Sequence, residues 1–379
     1  MAVELLTYHD CVQHLSDVFQ FSDATVMGRR ARIAVDSVYR DLPYKINWKY
    51  YQRRQTFETV ASYSTGTAAY DHTGGAHERL VTLSGTVPTW AQFGRFILND
   101  VTYRIAEYKS TTTFTLFEDD NPGEDVSATT FTIYRNEYPV PHDFRRGMRI
   151  YDVADEQEIP IVGFGESQRL LVGIDREPDQ PRRAYIRNSG DYYGVWTIEM
   201  IPPPSAARTY DISYEGKPRD ILTVSYSTGT VATSSTTVTG TTTVFPASCV
   251  GSVIRFGVSA SSTAVTNKFG SNPFTEQRVI AARGGDTSLT IDTAPTSAYS
   301  AGTGYMISDP IDIHPGAMTT AFLRAIEAEF AKVCAFKDVG ERMALAQQAL
   351  MQAMENEPND TYANAAPMYE PRTTWANES

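Results

Sequence analysis

The chain has 379 residues, a formal net charge of −12 at pH 7 and only three cysteines. A chain of this length can bury two or three hydrophobic cores without disulfides or metals. Cys11, Cys249 and Cys334 lie far apart, which argues against a zinc site or a disulfide framework. The acidic charge is spread along the chain and argues against a protein that clamps DNA through its phosphates. Neither a signal peptide nor a membrane span is expected, because the sequence shows no basic leader and no long apolar run.

Helical periodicity appears first near the N-terminus. It predicts a helix over residues 7–19 with Thr7 as its N-cap, and a second helix that begins at Ser22 or Asp23 and ends at Pro43. The apolar stripe predicted for the second helix consists of Val26, Ile33, Ala34, Val38 and Leu42. The arginines of this helix fall on its other faces, and we interpret them as solvated or facing another subunit.

Helical periodicity returns at the C-terminal end. Two helices are predicted between Pro315 and Met354, with a break at residues 337–338. All four terminal helices are amphipathic, so each has to bury an apolar stripe, and the other three are its nearest partners. A small bundle built from both ends of the chain is therefore predicted.

Two regions between the helices are rich in threonine, glycine and β-branched residues. Motifs of residues 55–136 recur in the same order in residues 221–309, where Tyr63 precedes Tyr226 by 163 residues and Phe131 precedes Tyr305 by 174. Short alternating runs separated by Gly-containing turns predict a small antiparallel barrel or sandwich for each region. The repeated order predicts an internal duplication. For residues 227–243, which are dense in Thr and Ser, a disordered or glycosylated linker is the alternative.

The region that joins these two modules is predicted to form a β element of its own. Its predicted parts are a strand over residues 144–153, a hairpin over 182–204 that turns at residues 188–190, and a strand over 207–216. The fold class predicted for the whole chain is α+β. Its predicted segments are N-terminal helices (1–54), a first β module (55–136), the central β region (137–220), a second β module (221–309), C-terminal helices (310–355) and an extended arm (356–379).

A search for chemistry in the sequence finds no Walker loop, Rossmann fingerprint, HExxH or GxSxG motif. Residues 163–168, GFGESQ, lack the remaining features of a phosphate-binding loop and are predicted to form an ordinary loop. An acidic cluster offers oxygen ligands for calcium, but a turn at residues 121–123 favours a solvated hairpin tip. Its members are Glu118, Asp119, Asp120, Glu124 and Asp125. The six histidines are scattered, so no catalytic, cofactor-binding or metal-binding residue is predicted.

The order of these segments is similar to that of head-to-tail adaptor proteins of tailed bacteriophages, sometimes called tail tubular protein A. The likeness is carried by EYPVPHDFRR (137–146), by PPPSAARTYDISYEGKP (202–218) and by the terminal helices. The repeated unit, with YSTGT, V-G-x-x-I-R-F and S-L-T-I-D, resembles a small β module of such virion proteins. The likeness spans nearly the whole chain, and the presence of two β modules departs from simpler members.

This resemblance implies a structural protein of the virion neck that is made in the host cytoplasm and is not an enzyme. In that family the helical bundle packs side by side into a ring, commonly of twelve subunits. The ring docks beneath the portal protein, receives tail nozzle, tail tubular or other tail proteins, and lines a channel that genomic DNA crosses without sequence-specific binding. The resemblance implies no cofactor and no membrane partner.

Two other functions are weighed against this one. The first alternative is a tail or baseplate protein whose paired β modules bind a host surface. The second is an enzyme that degrades cell wall, which would need two carboxylates in a cleft, one of them with a raised pKa.

The C-terminal residues 356–379 contain three prolines and no apolar periodicity, so no helix is predicted there. We hypothesise that this arm is disordered in the free subunit and becomes ordered when it docks on the portal or on a neighbouring subunit. An unstructured end without a partner is the alternative. The candidate partner-binding residues are Tyr362, Met368, Tyr369 and Trp375.

Overall fold

A computed structural model describes residues 5–22, 24–45, 48–73, 79–172, 177–188, 196–260, 263, 265–314 and 316–356. Within these ranges the chain has five α-helices and twenty strands, which confirms a mixed α+β fold. The chain divides into two compact units. Among the described residues, we call the part up to Tyr51 and from Pro218 to Asn356 the terminal unit, and Gln52–Lys217 the central unit.

The helices comprise α1 (Tyr8–Phe19), α2 (Val26–Lys45), α3 (Phe164–Val172), α4 (Ala317–Val333) and α5 (Val339–Asn356). Two short 3₁₀ helices cover Lys49–Tyr51 and Thr89–Phe93. The predicted N-cap of α1 is confirmed. The hydroxyl of Thr7 accepts a hydrogen bond from the Asp10 amide, and the Asp10 carboxylate accepts one from the Thr7 amide. This reciprocal capping box satisfies two amides at the helix start.

Helix α2 departs from the sequence prediction at both ends. Val26 and Ile33, expected in the apolar stripe, are 69% and 51% exposed. Pro43, expected to end the helix, lies inside it, and the helix continues to Lys45. Pro43 is buried, and its packing outweighs the loss of one backbone hydrogen bond in the last turn. The face that is buried consists of Gly28, Ala31, Ala34, Val35, Val38, Tyr39, Leu42 and Pro43.

A single hydrophobic cluster contains side chains from helices at both ends of the chain. Leu15 of α1, Val38 of α2, Phe330 of α4 and Ala353 of α5 are all buried in it. The rings of Phe19 and Phe330 meet edge to face with centroids 4.8 Å apart. Burial of a large apolar side chain contributes about 1.5–3 kcal/mol. Sequence-distant helices therefore depend on one another for their stability.

The second β module belongs to the terminal unit and forms a closed antiparallel barrel in the order β15-β16-β19-β18-β17-β20. Its strands are β15 (Thr230–Ser234), β16 (Thr237–Thr241), β17 (Val253–Ala260), β18 (Phe274–Gly285), β19 (Ser288–Ile291) and β20 (Thr303–Ser308). Residues 227–243 contain two of these strands, which confirms the strand prediction over a linker. Val231 on β15 and Val238 on β16 are fully buried, as expected for strands that turn one face toward the barrel interior.

The first β module belongs to the central unit and forms a seven-stranded sheet in the order β7-β2-β3-β6-β5-β4-β8. Its strands are β2 (Ala68–Asp71), β3 (Leu80–Leu83), β4 (Arg95–Leu98), β5 (Val101–Tyr108), β6 (Thr113–Leu116), β7 (Val126–Thr129) and β8 (Phe131–Tyr134). Apart from β7, this is the strand order of the barrel. The registers also agree, since Phe96 pairs with Ile133 as Ile254 pairs with Ile307.

The remaining strands of the central unit form two small sheets, ordered β1-β14-β10-β11 and β12-β13-β9. They are β1 (Gln52–Glu58), β9 (Glu137–Pro139), β10 (Phe144–Asp152), β11 (Gln157–Ile159), β12 (Arg183–Asn188), β13 (Trp196–Ile201) and β14 (Thr209–Gly216). The two predicted strands and the predicted hairpin are present, and residues 189–190 of the hairpin turn lie outside the described residues. The first strand, β1, pairs with β14 of this region.

The loop predicted at residues 163–168 is wrong, because helix α3 begins at Phe164. The amide of Ser167 donates to the carbonyl of Gly163 at 3.0 Å, and the hydroxyl of Ser167 donates to the carbonyl of Phe164 at 2.8 Å. Ser167 is fully buried. Local hydrogen bonds and burial thus favour a helical turn at a site where the glycines alone suggest a loop.

Candidate subunit interface

The acidic cluster of the first module is a braced turn. Asp119 and Asp120 pair with the guanidinium of Arg104 at 2.8 and 3.0 Å. Asn121 shapes the turn, since its side-chain amide donates to the Glu118 carbonyl and its side-chain oxygen accepts from the Gly123 amide. In the part of the chain that the structure describes, no group of three or more His, Cys, Asp or Glu side chains is arranged to hold a metal ion.

Two buried carboxylates face each other where β9 pairs with β13. Glu137 and Glu199 are register partners and are 8% and 5% exposed. Glu137 accepts hydrogen bonds from Arg95 at 2.8 Å and from Arg187 at 2.5 Å, and Glu199 accepts one from Asn136 at 2.9 Å. Burial raises the pKa of Glu199, Arg187 opposes the shift, and Glu137 adds to it. This is the kind of acid pair that the enzyme alternative requires.

The space beside this pair is too small for a sugar. Glu137 and Arg95 line a cavity of about 120 Å³ together with Phe93 and Phe117. Sites for small molecules usually enclose about 300–1,000 Å³. Two arginines and one amide already occupy the carboxylates, so the pair is suited to holding β9, β12 and β13 together.

Helix α5 leaves much of its apolar surface uncovered. Only Ala349 and Ala353 among its described side chains are buried. Four large apolar side chains on the same helix are exposed by 43–54%. They are Met343, Leu345, Met351 and Met354. Single exposed apolar residues are common on protein surfaces, but several on one helix indicate an interaction surface.

A groove of about 690 Å³ lies among α2, α4 and α5. We call it the alanine groove, because Ala321, Ala325 and Ala328 of α4 line it. The α5 side contributes Met343 and Leu350. The polar residues along it include Asp41, Lys45, Glu329, Lys332 and Gln347. Small side chains on one wall and flexible methionine on another leave room for a bulky apolar group.

The opposite face of α4 borders a second depression, of about 910 Å³. There α4 contributes Thr319, Thr320 and Leu323. At 3.6 residues per turn these positions lie about half a turn from the three alanines of the groove. The two depressions therefore open on opposite sides of one helix.

The rim of this second depression carries the most exposed aromatic ring of the described residues. Phe269 is 97% exposed and lies in the connection between β17 and β18. The connection is held by hydrogen bonds, since the amide of Phe269 donates to the side-chain oxygen of Asn267 at 2.9 Å and the amide of Thr266 donates to the Asn272 carbonyl at 2.9 Å. We call residues 266–272 the Phe269 tip.

Ionic contacts fix α4 against its neighbours. Nε2 of His14 on α1 lies 2.8 Å from the Glu327 carboxylate, and Arg324 and Arg342 approach the same carboxylate at 3.0 and 3.3 Å. Burial raises the pKa of Glu327, but the hydrogen bonds with His14 and Arg324 outweigh it, so this pKa lies below its usual value. One carboxylate on α4 thus ties α1 and α5 to the helix that separates the two depressions.

The residues predicted to bind a partner, Tyr362, Met368, Tyr369 and Trp375, lie outside the described residues. Sequence reasoning missed Phe269 and the alanine groove. A signal for Phe269 is present in the repeat, because the connection between β17 and β18 is much longer than its counterpart between β4 and β5. The groove gives no such signal, since widely spaced alanines are ordinary residues of a packed helix.

No protein-family model matches the chain. A search of curated proteins finds no match either. Of the helices within the described ranges, none combines the length and apolar character needed to span a membrane.

Proposed function

We propose that this chain is a non-enzymatic, ring-forming head-to-tail adaptor that joins the portal of a tailed bacteriophage to its tail. The observation that carries this proposal is the shared core of α1, α2, α4 and α5, around which apolar side chains remain uncovered. Val26 and Ile33 of α2, and Met343, Met351 and Met354 of α5, are 47–69% exposed. A subunit that meets identical neighbours in a ring needs such surfaces.

A ring also requires two different surfaces on each subunit. Cyclic assembly joins one face of a subunit to another face of the next, and a closed ring repeats this contact around the axis. The terminal unit has two distinct depressions on opposite sides of α4. This arrangement supports a head-to-tail contact between copies rather than a symmetric pair.

We propose further that the two β modules arose by internal duplication and that the bundle of terminal helices is the part that forms the ring. The shared strand order and register support the duplication. Equivalent tyrosines also bridge the equivalent last strands, Tyr63 to Ile133 and Tyr226 to Ile307. A barrel of this size can act as a spacer or as a platform for the next tail protein.

The buried carboxylates support a structural role. Asp152 and Asp309 are fully buried, and each lies near an arginine, Arg208 at 3.0 Å and Arg219 at 3.4 Å. Asp309 also accepts hydrogen bonds from the backbone amides of residues 222 and 223. Carboxylates whose oxygens are occupied in this way stabilise a fold and are poorly placed for acid–base chemistry. The proposal therefore includes no catalytic activity and no cofactor.

The charge of the chain is compatible with a DNA conduit. A net charge of −12 per copy favours passage of DNA over retention, because phosphates are not gripped by a surplus of basic side chains. Genomic DNA would thus cross the ring without sequence-specific binding.

The experiment that tests the proposal is a mass measurement of the purified chain, alone and after addition of isolated portal rings. We expect a defined multiple of the chain on each portal ring, commonly twelve copies for such adaptors. Immunogold labelling of virions separates this function from a host-surface binding protein. Label at the neck supports the adaptor, whereas label at the distal end of the tail supports the alternative. A chain that stays monomeric and does not bind portal rings would contradict the proposal.

A further inference from the structure

The Phe269 tip and the alanine groove fit each other in shape and chemistry. Phe269 is 97% exposed, and an aromatic side chain buries about 150–250 Å² when it is fully covered. The groove, of about 690 Å³, is lined by three alanines, Met343 and Leu350. The hydrogen bonds within the tip reduce the backbone entropy that is lost when the phenylalanine docks.

The groove offers carboxylates as well as lysines to a docking partner. Lys268 precedes the exposed ring, and its ammonium lies 5.6 Å from the ring of Phe274. Asp41 and Glu329 lie along the groove together with Lys45 and Lys332, and Glu329 pairs with Lys332 at 3.1 Å. Of these two carboxylates, Asp41 is the one that we pair with Lys268.

A copy of the chain cannot fill its own groove with its own tip. Phe269 stands at the rim of the depression lined by Thr319, Thr320 and Leu323, and the groove lies on the other side of α4. Any contact between the two therefore joins two copies. Because tip and groove lie on opposite sides of α4, one contact leaves a second tip and a second groove available, so a heterologous contact can repeat from copy to copy.

We infer that the ring is closed by insertion of Phe269 from one copy into the alanine groove of the next copy. This inference rests on the proposed function and names the surfaces that its subunit contact uses. The occupant of the groove is a second copy of this chain. The second β module thereby gains a role, since its β17–β18 connection supplies the aromatic side chain that docks.

Two substitutions disable the two sides of the contact separately. Phe269→Ala removes the inserted ring and leaves the groove intact. Ala325→Phe fills the groove and leaves the tip intact, and Ala325 is only partly buried, so the new side chain has space toward the groove. Val244→Ala is the matched control, because Val244 is 64% exposed and lies in the β16–β17 connection, at the other end of β17 from the tip. Unchanged thermal unfolding of each variant verifies its fold.

The measurement is analytical ultracentrifugation of the full chain, with and without portal rings. We expect each docking variant to raise the concentration for half-assembly by at least about 30-fold, the size of a strong aromatic hot spot. The control should stay within about twofold, as expected for an exposed site. Mixing the two docking variants should give a one-to-one dimer, since only one intact tip and one intact groove remain per pair.

The results separate this inference from the proposed function. The inference is overturned if Phe269→Ala forms rings at the same concentrations as the wild-type chain, or if the mixture of the two docking variants stays monomeric. Ring formation by the wild-type chain would still support the adaptor function in either case. Failure of the wild-type chain to assemble in any condition would overturn both. Deletion of residues 358–379 tests a different occupant. If that deletion abolishes assembly and Phe269→Ala does not, the C-terminal segment fills the groove and the inference is wrong.

A photo-cross-linker at position 269 gives an independent readout. In a mixture of isotopically light and heavy copies, we expect cross-links from position 269 to residues of α4 or α5 that line the groove, and we expect them between light and heavy copies. Cross-links confined to a single copy would overturn the inference, because the tip would then dock on its own chain.

Discussion

The two β modules share a strand order, but one equivalent strand, β17 in the second module and β4 in the first, makes different contacts in each. In the second module Arg255 is 3% exposed and pairs with the Asp10 carboxylate of α1 at 2.5 and 2.8 Å. The same guanidinium lies over the ring of Phe274, 4.3 Å from its centroid. In the first module the equivalent position is Ile97, which pairs with Thr132. Arg255 therefore helps to fasten the second module to α1, together with the hydrogen bond that the His9 amide donates to the Ser308 hydroxyl.

The modules also differ at the hairpin that follows this strand. In the first module β4 and β5 are joined by Asn99 and Asp100, which have left-handed φ values of 50° and 62°. In the second module the corresponding connection is long and carries Phe269. Strand pairing fixes the common framework, whereas connections vary and carry contacts with other molecules. The same strand framework therefore forms a sheet with a tight hairpin in the first module and carries the proposed docking tip in the second.

The first way to test this comparison is to weaken each module at its core. Phe114 and Phe256 are both fully buried, one in each module. Phe114→Ala and Phe256→Ala should each lower the free energy of unfolding by about 3–5 kcal/mol. In calorimetry we expect Phe114→Ala to lower only the midpoint temperature of the central unit's unfolding transition. Phe256→Ala should lower only the midpoint temperature of the terminal unit's transition. Equal shifts of both transitions by either variant would show that the two units unfold as one.

Sequence patterns predicted the regular elements well because periodicity depends on local burial. The capped helix α1, the helices α4 and α5 and the strands of both modules follow from such patterns. Individual side-chain partners that are distant in the sequence could not be predicted. Arg255 looks like a solvated strand residue until the fold brings it to Asp10, 245 residues earlier in the chain.

The candidate docking surfaces escaped sequence analysis for a similar reason. The groove depends on how far α2, α4 and α5 stand apart, and helical periodicity does not contain that distance. In the predicted stripe of α2, Val26 and Ile33 are wrong and the other three residues are buried, because Gly28 and Ala31 let the helix pack closely on a slightly different face. The sequence also does not show that two carboxylates of the acidic cluster form ion pairs with Arg104.

The second test removes the fastening residue. Arg255→Met keeps the side-chain volume but leaves the Asp10 carboxylate without its guanidinium, and loss of one partner of a buried pair costs about 3–5 kcal/mol. Denaturant unfolding of the terminal unit should show this loss. Ile97→Met is the matched substitution in the first module and should cost less than about 1.5 kcal/mol. Similar losses for the two variants would contradict a special role for Arg255.

The third test uses pH, because two glutamates respond to it in opposite directions. The pKa of Glu327 is lowered in the folded terminal unit. Its contribution to the free energy of unfolding is therefore complete above the ordinary value of 4.5 and is lost as the pH falls through the folded pKa. The pKa of Glu199 is raised in the folded central unit, so stability declines as the pH rises from 4.5 through that raised pKa.

Glu327→Gln should therefore reduce the acid sensitivity of the terminal unit, and Glu199→Gln should reduce the loss of stability of the central unit toward neutral pH. Denaturant unfolding at a series of pH values between about 3 and 7 covers the range in which carboxylates titrate. An unchanged slope in either variant would show that the glutamate it replaces is not responsible.

The smallest expected effect concerns the tight turn of the first module. Asp100 is exposed and has a φ of 62°, a left-handed conformation that glycine adopts at no steric cost. Asp100→Gly should raise the free energy of unfolding of the central unit by about 0.5 kcal/mol, because relief of the left-handed conformation exceeds the added entropy of the unfolded chain. Asn99→Gly should gain less, since asparagine tolerates this conformation better than most residues. Thermal unfolding measures both changes, and destabilisation by Asp100→Gly would mean that the aspartate side chain, rather than the backbone angle, determines the turn.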